Sequence, residues 1–257
     1  MKAKQPTIIL LPGPAGAGRD FLINLIISNA DVLHQKYGEP IKMGIAQKIT
    51  DRPSRGENDA LKKCVTTEEF MRGVEAGLII APYVLESNGK NYGYEVDAFD
   101  KDGFDVLFAD ASVYQIPALR KQFGPRANIV AMINSRTDRE SNMVRRGTEK
   151  PEEIVNRLNL GDGHVALLCK MAKVPYQELI HPDLHAHLEN GEHEKVTSFT
   201  RSESVHKIYR DIDGDGIIDE VWYITDEYRV NDGDEPVKTR FFEKGVEIVI
   251  GSLPQLV

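Results

Sequence analysis

The chain has 257 residues, of which 41% are hydrophobic and 28% are charged. This composition is typical of a globular protein with a substantial core, and it excludes disordered and fibrous classes. The formal net charge is −8, and residues 190–257, with 15 acidic and 8 basic side chains, carry −7 of it. Such an acidic balance argues against a nucleic-acid-binding protein.

Hydropathy and cysteine content bear on where the protein resides. No apolar run approaches the roughly 20 residues of a membrane-spanning helix, so we expect no association with a membrane. The N-terminal residues lead directly into an apolar run, and we therefore expect no signal peptide. The two cysteines, Cys64 and Cys169, indicate reduced thiols, which favours a cytoplasmic protein.

The first 26 residues contain the strongest local signal. An apolar run over residues 7–11 is followed by a glycine-rich segment, and apolar side chains then recur at helical spacing at Phe21, Leu22, Leu25 and Ile26. A strand, a glycine loop and a helix in this order predict a phosphate-binding loop, because small residues let backbone N–H groups converge on an anion at a helix N-terminus. A tight turn without a ligand is the alternative. The residues predicted to bind the phosphates are Gly13, Ala15, Gly16, Ala17, Gly18 and Arg19.

The remainder of the first 189 residues alternates between strand and helix signals. The first helix is predicted to end near Leu33. Strand signals follow at residues 41–50, 78–85, 94–99, 104–110, 128–134 and 174–180. Helix signals occur at residues 66–77, 115–123, 137–158 (broken at Gly147) and 166–173. This alternation predicts an α/β fold, with a parallel sheet, right-handed crossovers and flanking helices.

Short β-type segments separated by Asp/Gly-rich turns follow from about residue 190. We therefore predict two domains: an α/β P-loop domain over residues 1–189 and an acidic, β-rich appendage over residues 190–257, which offers a surface for a protein partner. One turn of the appendage, DIDGDGIIDE, is similar to calcium-binding loops, in which alternate carboxylates converge on a hard cation. A hairpin turn that binds no Ca²⁺ is the alternative. The candidate ligands are Asp211, Asp213, Asp215 and Asp219, with the backbone carbonyl of Ile217.

Two arginine clusters, within residues 52–55 and 145–157, accompany the glycine loop. Phosphoryl transfer depends on placement and on positive charge around the non-bridging oxygens, and arginine binds phosphate oxygens in pairs. The two clusters can therefore hold donor and acceptor phosphates in line. Asp110 follows a buried predicted strand, at the edge where ligands gather in open α/β sheets.

Several segments resemble the guanylate kinase family, in the order in which that family carries them. They are GPAGAGRD at the loop, TDRPSRGE, VTTEEF, NYG, and VRRGTEKPEEIVNRL at the arginine lid, and together they span residues 7 to about 189. The resemblance implies a P-loop kinase fold. It also implies that the arginines of TDRPSRGE and the tyrosine of NYG bind phosphate. The arginines of VRRGTEKPEEIVNRL would contact phosphate from the lid. The residues that fall on the family's functional positions are Arg52, Arg55, Tyr92, Asp110, Arg146 and Arg157.

The chain departs from the family pattern at four positions, one of which is Lys62, where the family usually has a phosphate-binding tyrosine. Arg19 and Asp20 stand where the loop normally has a lysine and a magnesium-binding hydroxyl. The glutamate with which the family reads guanine would fall near Ala81, and the nearest carboxylate downstream is Glu86. The resemblance therefore gives no support for guanine specificity.

These patterns predict an ATP-dependent phosphotransferase that acts on a nucleoside monophosphate or a similar small phosphate ester. ATP and Mg²⁺ are the implied cofactors, with the metal held by Asp20 or Asp110. The alternative is a module of the same fold that has lost chemistry and binds a phosphorylated ligand or protein partner. A calcium-regulated structural protein is a third hypothesis, and it depends on the acidic turn alone.

Overall fold

The structure, a computed structural model, describes residues 5–31, 34, 40–54, 62–101, 103–132, 136–172, 198–201, 206–210 and 220–225. Its helices are α1 (Arg19–Ser28), α2 (Thr67–Glu75), α3 (Ile116–Phe123), α4 (Arg136–Arg146) and α5 (Pro151–Ala172). The strands of the α/β part are β1 (Thr7–Leu10), β2 (Met43–Ile45), β3 (Lys48–Thr50), β4 (Lys62–Cys64), β5 (Ile79–Leu85), β6 (Lys90–Glu95), β7 (Val106–Ala109) and β8 (Ala127–Met132). Three more strands follow, β9 (Ser198–Arg201), β10 (His206–Arg210) and β11 (Glu220–Thr225).

The main sheet has the strand order β2-β7-β1-β8-β11-β10-β9. Its first five strands run parallel. Strand β10 pairs antiparallel with β11, and β9 pairs antiparallel with β10. Strands adjacent in the parallel part are never consecutive in the chain, so crossovers connect them. The predicted α/β class, with a P-loop parallel sheet flanked by helices, is confirmed.

The central strand β1 is buried on both faces. Ile9 and Leu11 pack in one cluster with the apolar side chains of α1, whereas Ile8 and Leu10 pack in another with Leu119 of α3. Successive side chains of a strand point to opposite faces, and a strand covered on both sides therefore reads as a continuous apolar run. This explains the uniform apolar character of residues 7–11.

A second, four-stranded sheet has the order β4-β3-β6-β5. The single strand predicted over residues 41–50 is wrong in extent, because the segment contributes β2 to the main sheet and β3 to the second sheet. The Ala46 N–H donates to the Phe108 carbonyl at 2.8 Å, at the end of the pairing with β7. Two residues later Lys48 pairs with Tyr94 of β6, so this segment connects the two sheets.

The strand predicted over residues 94–99 also differs from the structure. Strand β6 ends at Glu95, and Val96–Phe99 form a 3₁₀ turn. The turn brings Phe99 against Tyr94, with ring centroids 5.0 Å apart, and both rings are fully buried. Burial of Phe99 thus favours the turn over a longer strand.

Helix α2 confirms the predicted helix over residues 66–77. Thr66 and Glu69 form a reciprocal capping box at its N-terminus, and Gly77 follows its C-terminus with φ of 68°. Phe70 packs against Ile49 and Ile79, so the helix covers one face of the second sheet.

The arginine-rich segment forms the helices α4 and α5, with Gly147 between them at φ of 65°. The break predicted at Gly147 is confirmed. Helix α5 runs without interruption to Ala172, so the helical signal at residues 166–173 belongs to it.

Three of the β-type segments beyond residue 190 form strands. Strand β11 pairs in parallel with β8, from Trp222 beside Ile129 to Thr225 beside Met132. These strands therefore extend the main sheet, and the division into two domains at residue 189 stays a prediction. The strand signal at residues 174–180 and the proposed calcium ligands Asp211, Asp213, Asp215, Ile217 and Asp219 lie outside the described residues.

None of the described helices is both long enough and apolar enough to cross a membrane.

Candidate functional site

The glycine loop connects the carboxyl end of β1 to the N-terminus of α1. Gly16 and Gly18 have φ of 81° and 83°, the left-handed region that residues with a side chain rarely adopt. A Cβ on Gly13 would lie 2.6 Å from the Met132 carbonyl oxygen, so the loop also passes closely over the end of β8.

The N-terminus of α1 is open to a ligand. Gly18 occupies its N-cap position, and no side-chain hydrogen bond caps the helix there. Asp20 is exposed in the first turn. The amide groups at a helix N-terminus carry partial positive charge, which favours an anion.

Arg19 does not reach over the loop as a phosphate-binding lysine would. Its Nη1 lies 2.5 Å from Asp110 Oδ1 and donates to the Ala111 carbonyl at 3.2 Å. Asp110 stands directly after β7, beside the end of β1. Arg19, predicted at the loop, and Asp110, predicted at the end of a strand, thus form an ion pair.

A second cation, Lys48 of β3, faces the other oxygen of the same carboxylate. Lys48 Nζ lies 3.4 Å from Asp110 Oδ2, and the lysine side chain is 4% exposed. Burial opposes ionisation of Asp110, but the charges of Arg19 and Lys48 hold the pKa of its carboxyl well below the usual range. Burial lowers the pKa of Lys48, more than Asp110 raises it. Two basic side chains therefore share the Asp110 carboxylate beside the glycine loop.

Aromatic rings connect this cluster to the second sheet. Lys48 Nζ lies 5.8 Å from the ring centroid of Tyr94 and 6.0 Å from that of Tyr83. Tyr83 in turn stacks on Tyr92, with centroids 5.6 Å apart. Burial raises the pKa of the Tyr94 phenol well above its ordinary value, so this ring stays neutral. Tyr92, the tyrosine of NYG, is therefore connected to Lys48 through Tyr83.

Arg52 lies in the turn that follows β3, the strand that pairs with the strand of Tyr92. Thr50, two residues before Arg52, is paired with Tyr92 across β3 and β6. The turn is held by Asp51, which accepts hydrogen bonds from Asn91 and Thr67. Burial raises the pKa of Asp51, but these hydrogen bonds lower it by more. The pKa therefore lies below its ordinary value, and the carboxylate is ionised. Arg55, the other predicted acceptor arginine, lies outside the described residues.

Arg146 and Arg157, the predicted lid arginines, meet at a carboxylate. Arg157 pairs with Glu149, and Arg146 Nη1 lies 3.8 Å from the same oxygen. The Glu149 side chain is 4% exposed. The structure thus brings the two arginines together, at Glu149 and not at the glycine loop.

Sequence reasoning missed three charged or titratable residues near the loop: Lys48, Arg139 and His164. Arg139 is fully buried, one helical turn before Met143, which is also fully buried. Helical periodicity around Met143 was the signal that could have identified it. Burial and the charges of Arg19 and Arg139 lower the pKa of His164, which packs edge-on against Tyr114. Neither Lys48 nor His164 has a comparable signal in the sequence.

Base recognition and metal binding have little support in the described residues. Ala81 lies at an irregularity of β5, with φ of 48°, and its carbonyl accepts from Gln115 at 2.8 Å. Its side chain cannot read a base by hydrogen bonding. Among the described residues, no group of three or more His, Cys, Asp or Glu side chains converges as a metal site.

Comparison with known proteins gives fold-level similarity alone. No protein-family model matches the chain, and no curated protein matches it. Among solved structures, guanylate kinase from Anaplasma phagocytophilum aligns with 75% of this chain and 89% of its own, at 16% identity and a TM-score of 0.44. TT1252 from Thermus thermophilus aligns with 98% of this chain and 100% of its own, at 10% identity and a TM-score of 0.36. At these TM-scores neither similarity carries an argument about function.

Proposed function

We propose that this chain is an ATP-dependent phosphotransferase with a nucleoside monophosphate or a similar small phosphate ester as acceptor. The observation that carries the proposal is the uncapped N-terminus of α1 after the glycine loop, beside a cluster in which Arg19 and Lys48 share the Asp110 carboxylate. Anions bind at such helix termini, and positive charge near them stabilises the phosphoryl group during transfer.

The donor phosphates would lie on the loop amides, with Arg19 at the β7 side. The acceptor phosphate would lie across Arg52 and Tyr92, which Tyr83 connects to the loop cluster. Arg146 and Arg157 would contact the transferring group once released from Glu149.

Mg²⁺ would neutralise charge on the donor phosphates. Asp20 is the carboxylate that fits this role, because it is exposed in the first turn of α1. Both oxygens of Asp110 already face cations, which leaves that carboxylate less suited to a metal.

ATP consumption with a panel of nucleoside monophosphates and Mg²⁺ tests this proposal. We expect turnover in the native protein and a loss of about a hundredfold or more in Arg19→Ala, as for removal of a preorganised charge at a reacting centre. Arg72→Ala, which removes an exposed arginine from α2, is the matched control and should leave turnover unchanged. Equal turnover in the two variants would contradict the assignment of Arg19.

A binding module without chemistry is the second candidate. It is favoured by one observation: the Arg19 guanidinium is already engaged by Asp110 and the Ala111 carbonyl, whereas Arg52 follows directly on the strand that pairs with Tyr92. Absence of ATP consumption together with phosphate-ester binding that is lost in Arg52→Ala would establish this candidate in place of the kinase.

A further inference from the structure

A buried guanidinium borders the glycine loop on the side away from β7. Arg139 of α4 is 1% exposed and is the largest fully buried side chain among the described residues. Its Nη2 pairs with Asp162 of α5. Within the described part of the chain, its Nε and Nη1 have no hydrogen-bond partner.

Two unsatisfied donors on a buried cation are costly. An arginine stays protonated in proteins, so Arg139 cannot relieve the cost by losing its charge. A buried donor without an acceptor costs about 1–3 kcal/mol, and more when the group is charged. An acceptor that is supplied by a ligand would remove this cost.

The position of Arg139 shows where that acceptor would lie. A Cβ on Gly16 would stand 2.7 Å from the Arg139 carbonyl oxygen, so the backbone of α4 lies directly on the loop. Asn142, one turn later, donates to the Gly16 carbonyl at 2.9 Å. At the other end of the side chain, Arg139 Nη1 and Pro14 Cβ both lie within 3.0 Å of the point where a Cβ on Gly161 would stand. Arg139 therefore extends along the loop, from Gly16 toward Pro14.

Arg19 does not fill the same role. Its guanidinium is held at the β7 side of the loop by Asp110 and the Ala111 carbonyl. Arg139 of α4 is thus a second cation at the loop, and its Nε and Nη1 have no acceptor among the described residues.

We propose that Arg139 binds the phosphoryl oxygens of the loop ligand through Nε and Nη1. Nη1 lies on the Cδ side of the planar guanidinium and the Nε–H points to the opposite side, so the two groups would donate to separate phosphoryl oxygens. Asp162 orients the guanidinium by accepting from Nη2. This inference rests on the proposed function for the nature of the ligand, a polyphosphate.

Calorimetric binding of inorganic tripolyphosphate and of ATP tests the inference. We expect Arg139→Met, which keeps an unbranched side chain without the charge, to weaken tripolyphosphate binding at least tenfold. Arg136→Met is the matched control: Arg136 lies on the same helix and pairs with the same Asp162, but its side chain is 43% exposed. We expect the affinity of that variant to stay within twofold of the native value.

Arg139→Lys provides a second variant if Arg139→Met does not fold. It keeps the charge but offers a single donor nitrogen in place of Nε and Nη1, so it should bind with an affinity between those of the native protein and Arg139→Met. The melting temperature of each variant without ligand distinguishes a binding role from a structural one. Lost affinity at an unchanged melting temperature supports binding by Arg139.

Four outcomes separate this inference from the proposed function. Native affinity in Arg139→Met or in Arg139→Lys overturns the inference and leaves the kinase proposal in place. Tripolyphosphate binding that requires Arg139, without ATP turnover, supports the inference and contradicts the kinase. A loss of affinity in Arg136→Met as large as that in Arg139→Met overturns the inference, because the loss would then come from the total positive charge and not from a contact of Arg139. Absence of any polyphosphate binding by the native protein overturns both.

Discussion

At the scale of single residues, the buried Asp110 carboxylate is the shared counter-charge of two basic side chains at the candidate site. Asp110 stands between the loop cation Arg19 and the buried Lys48, and its carboxylate compensates both charges in part. Taking one partner from a buried ion pair leaves the other charge without compensation, which costs more than the pair contributes. The cluster therefore depends on this carboxylate for its stability as well as for its charge.

Asp110→Asn tests the role of this carboxylate. We expect the free energy of unfolding to fall by about 3 kcal/mol, because Lys48 and Arg19 lose their shared counter-charge in a buried position. Urea unfolding followed by circular dichroism measures the change.

Glu95→Gln is the matched control for that variant. Glu95 accepts from Lys63 at 2.7 Å, but both side chains are more than a third exposed, so the change should be less than about 1 kcal/mol. Equal losses in the two variants would mean that burial of the Asp110 cluster does not determine its contribution to the free energy of unfolding.

At the scale of elements, the site depends on how three helices meet the sheets. The N-terminus of α1 follows the glycine loop, and α4 lies against that loop through Gly16 and Asn142. Helix α2 supports the acceptor side, because Phe70 packs on the second sheet and Thr67 donates to Asp51. Loosening α2 should therefore affect the turn that carries Arg52.

Thr66→Ala tests the contribution of α2. The Thr66 hydroxyl accepts from the Glu69 N–H at 3.1 Å, and Glu69 accepts from the Thr66 N–H at 2.8 Å. Loss of such a cap costs about 1 kcal/mol, and we expect a corresponding fall in the free energy of unfolding. Thr66→Ser, which keeps the hydroxyl, should stay close to the native value. A loss of the same size in Thr66→Ser would exclude the capping bond as the cause.

At the scale of the whole molecule, the groups whose pKa is lowered on folding make stability fall on acidification. The pKa values of Asp51 and Asp110 are lower in the folded protein than in the unfolded chain, and so is that of His164. The folded state therefore binds fewer protons than the unfolded state below about pH 6.5, and stability is lost on acidification. For His164 the loss begins as pH falls below about 6.5, whereas for the two carboxyls it begins near pH 4.

Unfolding free energies between pH 7 and pH 3 test this dependence. We expect the free energy of unfolding to fall continuously over this interval. In His164→Gln we expect a smaller slope between pH 7 and pH 5 and the native slope below pH 5. Stability that rises on acidification over the same interval would contradict the signs of these shifts.

Local signals in the sequence determined the fold class, the glycine loop, the capping box of α2 and the break at Gly147. Each depends on neighbouring residues: apolar runs, helical spacing, a Thr–Glu pair three apart, or a glycine that tolerates positive φ. Tertiary structure decided which strands belong to which sheet, and it divided residues 41–50 between the two. It also decided the partners of the charged residues. Arg19 meets Asp110, Lys48 joins them, Arg146 and Arg157 meet at Glu149, and Arg139 is buried against the loop. These pairs are brought together only when distant elements pack, and burial then sets the energetic importance of each charge.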